Sequence, residues 1–216
     1  MRRLNRILGT TAVIVALVGL PVVALADISV TAHDFSDQSW SSGETCVACH
    51  TPHDADTSLE APLWNHQITS VTDYAVYASP TLNSTVGQPG ETSLLCLSCH
   101  DGTLAVDAFG GSPGNADTLD TSSSAYVGQD LSDDHPIGFT YDTALSTTDP
   151  GLNDPASTDA GVALKPGNID VALLFGASRD QMECASCHDP HAAAGASPFL
   201  RKDNANSVLC LTCHNK

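Results

Sequence analysis

Four copies of one five-residue pattern occur along the chain, and each contains two cysteines followed by a histidine. The copies are Cys46-Val-Ala-Cys49-His50, Cys96-Leu-Ser-Cys99-His100, Cys184-Ala-Ser-Cys187-His188 and Cys210-Leu-Thr-Cys213-His214. Together they contain all eight cysteines of the 216-residue sequence. Positions i, i+3 and i+4 of a helical turn lie on one face, so each copy presents two thiols and one imidazole together. We therefore predict a short helical turn at each copy.

The C-x-x-C-H pattern is the attachment signature of c-type haem. Both thiols can bond the edge of the porphyrin while the imidazole reaches the iron. Disulfides and zinc sites also use paired cysteines, but neither requires a histidine directly after every pair. We predict four covalent haem c groups, with all eight cysteines forming thioether bonds. The predicted proximal iron ligands are His50, His100, His188 and His214.

The composition offers few residues for a conventional core. Aromatic residues make up only 5% of the chain, and Ser, Thr, Asp, Gly and Pro are abundant. Such chains seldom bury enough apolar surface to offset the entropy of folding. We therefore predict a multihaem cytochrome c fold, mostly irregular coil with short helices at the C-x-x-C-H sites and little sheet. The core would consist of four stacked haems, and we expect the haem-free chain to be unfolded.

The first 26 residues have the features of a secretory signal peptide. Three arginines precede an apolar stretch over residues 7–23, and Ala24-Leu25-Ala26 resembles a cleavage site. If the segment is retained, it would be a short N-terminal anchor. Cleavage leaves five basic residues against all 25 acidic ones, a net charge of −20. This charge argues against nucleic acid and anionic membranes as partners, and no second apolar run is long enough to span a bilayer. We predict an exported protein, extracellular or periplasmic.

Histidine is the only plentiful residue for the sixth coordination position of each iron. Met182 is the one methionine that follows the signal, so His/Met ligation at several irons is excluded. The histidines outside the motifs are His33, His53, His66, His135 and His191. Five histidines for four irons predict bis-His ligation throughout, with one histidine left over. Two imidazoles close an iron to substrate and lower its potential relative to His/Met ligation.

His53 and His191 occur in the same phrase, C-H-x-P-H. The residue before a proline is disfavoured in the helical region, so the chain leaves its turn directly after the proximal histidine. The second imidazole is too close in sequence to reach the far side of its own haem. We predict that each closes the iron of a neighbouring haem; the alternative is an exposed histidine in a turn.

The other three histidines receive different roles. His135 lies in a proline-fixed turn within a long cysteine-free stretch, and His33 is followed by Asp34, which can orient an imidazole. We predict that both are distal ligands, with surface histidines as the alternative. We interpret His66 as the spare histidine, or an alternative distal ligand, that hydrogen-bonds a propionate or a carbonyl.

The motifs repeat as a pair. Each half contains a C-H-x-P-H site followed by an L-C-L-[ST]-C-H site, which predicts one tetrahaem domain over residues 27–216. It consists of a dihaem unit over 27–110, a Ser/Thr/Asp/Gly-rich connection over 111–180 and a second dihaem unit over 181–216. Apart from short runs such as residues 171–175, the connection shows no helical or strand period, so we expect much of it to be disordered. His135 and Phe139 indicate that part of this stretch is ordered.

These phrases, together with D-D-H-P-I-G-F (residues 133–139), resemble the doubled-C-x-x-C-H multihaem cytochromes of bacteria. Four haems on a short acidic exported chain are also similar to the tetrahaem cytochromes that polymerise into extracellular filaments. That resemblance implies a row of haems continuing between subunits, with a histidine near one subunit's end closing a haem of its neighbour. His33 is the candidate for that shared ligand.

The resulting hypothesis is electron transfer rather than catalysis, with the protein itself, other redox proteins or an extracellular acceptor as partners. Subunits of charge −20 repel one another, so a filament would need a large interface, shared ligation or screening salt. The alternatives are a soluble periplasmic carrier or a subunit of a larger oxidoreductase. A multihaem reductase is disfavoured because five histidines are available to close four irons. A haemless zinc or disulfide module is the remaining alternative.

Overall fold

Turns and bends form most of the chain path, and regular elements are few and short. The computed structural model describes residues 28–59, 61–191 and 198–215, so the predicted signal peptide lies outside the described residues. The strands are β1 (Ala75–Val76), β2 (Asp130–Leu131), β3 (Phe139–Thr140) and β4 (Gln181–Met182). The helices are α1 (Glu91–His100), α2 (Thr143–Thr148), α3 (Ile169–Ala172), α4 (Cys184–Cys187) and α5 (Cys210–Cys213), with 3-10 turns at Ile28–Val30 and Ala205–Ser207. The prediction of a mostly coiled chain with short helices and little sheet is confirmed.

Two small sheets join distant parts of the chain. Strands β1 and β2 pair in parallel, with Ala75 opposite Asp130. Strands β3 and β4 pair in antiparallel fashion, with Phe139 opposite Met182. Because β4 ends two residues before Cys184, the second pairing connects the cysteine-free stretch directly to the third motif.

Three of the four motifs form helix. Motif two forms the end of α1, motif three is α4 and motif four is α5. The first motif, residues 46–50, is instead a single turn closed by the His50 amide, which donates to the Cys46 carbonyl at 2.9 Å. Helix α1 ends at His100, and Gly102 follows with a φ of +73°. Any Cβ at Gly102 would also lie 2.5 Å from the Tyr126 ring, so glycine suits this position for two reasons.

The larger apolar cluster lies where the sequence predicted a largely disordered connection. Its buried members are Phe139, Tyr141, Ala160, Val162, Ile169, Ala172, Leu173, Leu174 and Met182. A smaller cluster contains Tyr74, Leu97 and Leu131. Phe139 lies in the larger cluster, as expected for an ordered part of this stretch. The expectation of disorder was wrong for the other members, because their apolar residues are irregularly spaced and meet through turns. Such a cluster leaves no helical or strand period in the sequence.

We expect Ile169→Ala to destabilise the haem-loaded protein by about 2–5 kcal/mol, because it opens a cavity in the larger cluster. Ile169 is 0% exposed. Val171 on the same helix is 39% exposed, and Val171→Ala serves as the matched control. Urea unfolding of both variants measures the difference. Equal midpoints would show that this cluster contributes little to stability.

Within the described residues, no helix is both long enough and apolar enough to cross a membrane.

Candidate haem-binding sites

Each motif brings its two cysteines and its histidine onto one turn, as the spacing predicts. The amide of the histidine donates to the carbonyl of the first cysteine at 2.9 Å for His50, 3.1 Å for His188 and 2.9 Å for His214. His100 forms the last residue of α1. None of the eight cysteines, all within the described residues, forms a disulfide.

In the first and fourth motifs, the second cysteine is more buried than the first. Cys46 and Cys210 are exposed, whereas burial raises the pKa of Cys49 and of Cys213 to about 11. Burial likewise raises the pKa of Cys99 to about 12. These inner thiols are protonated at neutral pH and lie on the side where an apolar group would be covered by protein.

The second and third motifs lie directly against each other. The Cys96 thiol donates a hydrogen bond to the Cys184 sulfur, which raises the pKa of Cys96 and lowers that of Cys184. The Cys184 amide donates to the Ser93 hydroxyl at 2.9 Å. Groups attached to these two motifs are therefore neighbours, although 87 residues of sequence lie between Cys96 and Cys184.

A buried glutamate holds these two motif helices together. Glu183 is 3% exposed and precedes α4. Its carboxylate accepts from the Gly90 amide at 3.2 Å and from the Ser93 hydroxyl, both at the start of α1. The same carboxylate accepts from the Ser186 amide, and the Ser186 hydroxyl accepts from the Glu183 amide at 2.9 Å, forming a capping box. One side chain thus satisfies donors at the beginning of both helices.

We expect Glu183→Gln to destabilise the haem-loaded protein by about 1.5–3 kcal/mol, because an amide nitrogen would replace an oxygen that accepts charge-assisted hydrogen bonds. Asp203→Asn is the control, since exposed Asp203 accepts an amide hydrogen bond at 3.1 Å from Ala205. Urea unfolding measures both variants. If Glu183→Gln is no less stable than the control, the bridge between the two helices is not a stabilising feature.

Three pairs of imidazoles face each other at closely similar separations. His50 and His191 have ring centroids 6.1 Å apart, His33 and His100 6.0 Å, and His135 and His214 6.2 Å. Two iron–nitrogen bonds of about 2.0 Å and the half-widths of two rings place opposed ligand imidazoles about 6 Å apart. Each pair joins one predicted proximal ligand to one predicted distal ligand. The residues therefore suit bis-His iron, and the individual ligand assignments stay predictions.

Several of the predicted ligand imidazoles are oriented by a contact of Nδ1 with a backbone carbonyl. The Nδ1 atoms of His100 and His188 lie 2.7 Å and 2.9 Å from the carbonyl oxygens of Ala125 and Pro198. His135 makes the same contact with its neighbour Pro136 at 3.0 Å. With the Nδ1 proton donated to a carbonyl, Nε2 is left to bind a metal, which is the usual arrangement of a ligand histidine.

Two of the predicted distal ligands have opposite electrostatic surroundings. Burial, followed by the neighbouring His100, lowers the pKa of His33, so this imidazole is neutral as a metal ligand must be. The hydrogen bond to Asp189 raises the pKa of His191, and the two side chains lie 3.3 Å apart. Asp189 therefore orients His191 toward His50 as a carboxylate orients a ligand imidazole.

His66 is placed differently from the paired histidines. It is 5% exposed, with Nδ1 2.8 Å from the Gln67 carbonyl and Nε2 3.2 Å from the Ala105 carbonyl. Nε2 also lies 3.6 Å from the Cys99 sulfur. Both ring nitrogens thus have protein partners, which agrees with the spare role predicted for His66, although that role stays a prediction.

His53 and His188 are the two histidines left over. Both are exposed, and within the described part of the chain neither has a ring contact with another imidazole. His53 was predicted to close a neighbouring haem, and the structure brings no proximal histidine of the described residues to it. An iron bound by His188 would therefore have no second imidazole from these residues.

Sequence reasoning overlooked Trp64. Its indole lies edge-on to His50, with ring centroids 6.0 Å apart and an interplanar angle of 88°. The Nε1 atom is buried without a hydrogen-bond partner among the described residues. An unpaired donor beside a predicted proximal ligand suits a site that receives a group with acceptor atoms. Nothing in the sequence around Trp64 signals this contact, which depends on the pairing of Asn65 with Cys49 across a turn.

Comparison with known families identifies one match. The doubled CXXCH motif family matches residues 177–216, which contain the third and fourth motifs. None of the curated proteins matches the chain. The CXXCH motifs imply covalently bound haem c. They are consistent with a multihaem c-type cytochrome and suggest electron transfer as the function.

Proposed function

We propose that the protein is an exported tetrahaem cytochrome that transfers electrons through four bis-His haem c groups. The observation that carries this proposal is the spacing of three imidazole pairs, 6.0–6.2 Å between centroids, each including the histidine of a C-x-x-C-H motif. These separations fit two imidazoles that bind one iron.

Haem supplies an iron that gains and loses one electron, and the chain's own residues determine where it is held and what surrounds it. The paired cysteines fix each macrocycle, and the Nδ1 contacts of His100 and His188 fix the ligand rings. Contact between Cys96 and Cys184 brings the second and third sites together. The 25 acidic residues favour the oxidised state by placing negative charge around the irons.

Purification of the exported protein with its cofactors tests this proposal. A pyridine haemochrome assay combined with protein quantitation is expected to give four haems per chain, and the oxidised spectrum is expected to be that of low-spin iron. A colourless protein would overturn the proposal and revive a zinc or disulfide module.

We further propose that His53 of one copy closes the iron held by His188 of another. Both residues are exposed, and the three other motif histidines already face an imidazole of their own chain. This changes the shared ligand expected from the sequence, since His33 lies 6.0 Å from His100 of the same chain. Because two different surfaces meet, the contact is heterologous and propagates into a filament unless it closes on itself.

A further inference from the structure

Two basic residues of the described chain lie against one aromatic ring, and a third acts electrostatically on one of them. Lys165 Nζ lies 5.2 Å from the centroid of Phe175, and the Arg201 guanidinium carbon lies 5.6 Å from it. Arg179 is close enough to act on Lys165 electrostatically. We call Lys165, Arg179 and Arg201 the Phe175 cation cluster. The aromatic ring stabilises its two neighbouring cations, but it carries no net negative charge.

Among the described residues, no carboxylate balances this cluster at ion-pair distance. The ion pair found there is between His191 and Asp189, and it involves no lysine or arginine. Burial and repulsion from Arg201 and Arg179 lower the pKa of Lys165. Burial also lowers the pKa of Arg201, although Asp189 opposes this effect from a longer distance. Placing like charges together without a counterion is unfavourable. The chain contains 25 acidic residues, so carboxylates that could serve as counterions are abundant in the sequence.

The cluster is fixed to the third motif. The Arg201 amide donates to the Cys187 carbonyl at 2.9 Å, and its side-chain Nε donates to the Ala185 carbonyl. These contacts leave the terminal nitrogens of Arg201 available, since within the described residues they make no hydrogen bond. A guanidinium held in this way presents a preorganised fork to an incoming carboxylate.

We propose that the Phe175 cation cluster binds a propionate of a haem attached at the third or fourth motif. This inference rests on the proposed function, because it requires haem at these motifs. Arg201 acts electrostatically on Cys187, and Cys187 in turn acts on Cys213 of the fourth motif, so the cluster borders both attachment sites. A propionate arrives with the cofactor, which explains why the described polypeptide itself supplies no carboxylate at ion-pair distance.

Spectroelectrochemical titration of the haem-loaded Arg201→Gln variant tests the proposal. Removing a cation that pairs with a propionate is expected to favour the oxidised haem at least tenfold, which lowers one reduction potential by about 59 mV. Lys216→Gln is the control, since it removes the same charge two residues after a predicted iron ligand, His214. Redox-difference infrared spectra are expected to show a shifted propionate carboxylate band in the first variant only.

Equal shifts in the two variants, with unchanged propionate bands, would overturn the inference. If Arg201→Gln fails to load haem, Lys165→Gln tests the same cluster without removing the contacts to Ala185 and Cys187. Absence of haem from the unaltered protein would instead overturn the proposed function. If the unaltered protein carries four haems but the cluster variants leave the reduction potentials and propionate bands unchanged, the present inference alone is overturned.

Discussion

The haem-free chain is expected to show no cooperative unfolding transition. Within the described residues its two apolar clusters contain nine and three buried hydrophobic residues, a small core for a chain of this length. The loss of chain entropy on folding, about 1–2 kcal/mol per residue, exceeds what such clusters offset. Haems attached at the four motifs would supply the missing apolar surface, so folding and cofactor attachment are coupled. Circular dichroism during urea titration of the chain made without haem attachment measures this.

The third motif is expected to contribute more than the first to the stability of the haem-loaded protein. Helix α4 buries Ala185 and Ser186 and contacts α1, whereas Cys46 of the first motif is exposed. The double variant Cys184→Ala/Cys187→Ala should therefore lose more stability than Cys46→Ala/Cys49→Ala, although each loses one pair of thioether bonds. A cooperative transition in the haem-free chain, of the same midpoint as the loaded protein, would contradict the coupling.

Local chemistry was predictable from the sequence because it depends on neighbouring residues. The spacing of Cys184, Cys187 and His188 determines a shared face of one turn, and the structure has that turn. The same reasoning predicted little regular structure from a composition poor in aromatic residues. Proline after Asp189 likewise predicted that the chain would leave its helix at once, and α4 ends at Cys187.

Long-range pairing was not predictable from the same patterns. His53 and His191 occupy equivalent positions in repeated phrases and both are exposed, yet within the described residues His191 lies near the ring of His50 while His53 has no ring contact with an imidazole. The local chain return does not account for this difference, because Asn65 pairs with Cys49 as Arg201 pairs with Cys187. The difference therefore depends on which distant segment packs beside each repeated phrase, and a local pattern cannot encode that.

The buried polar contacts could not be predicted from the sequence either. Glu183 resembles many other acidic residues of an acidic chain, and only the folded arrangement brings it to Ser93 and Gly90. One signal was available: Ser93 begins the repeated phrase S-L-L-C-L-S-C-H, whose counterpart begins at Ser207. The apolar cluster around Ile169 had no such signal, because its members are joined by turns of irregular length.

Replacement of His53 by alanine is expected to disperse the assembled protein and to convert one iron in four to high spin. The reason is that His53 has no imidazole partner in its own described chain, while an iron bound by exposed His188 would need a second ligand. Electron microscopy measures assembly, and the visible spectrum of the same oxidised sample measures spin state. Added imidazole should restore the low-spin spectrum without restoring the assembly, because free ligand closes the iron but joins no subunits.

His135→Ala is the matched control for this experiment. It removes an exposed imidazole that lies 6.2 Å from His214 of its own chain, so one iron should open while the assembly persists.

Uniform filaments of the unaltered protein would indicate propagation, whereas discrete dimers would indicate two reciprocal His53–His188 contacts related by a two-fold axis. A His53→Ala variant that assembles and remains fully low-spin would contradict shared ligation. Carbon monoxide binding by the unaltered, assembled protein would show an open iron and favour the reductase alternative, because a closed bis-His iron leaves no position for that ligand.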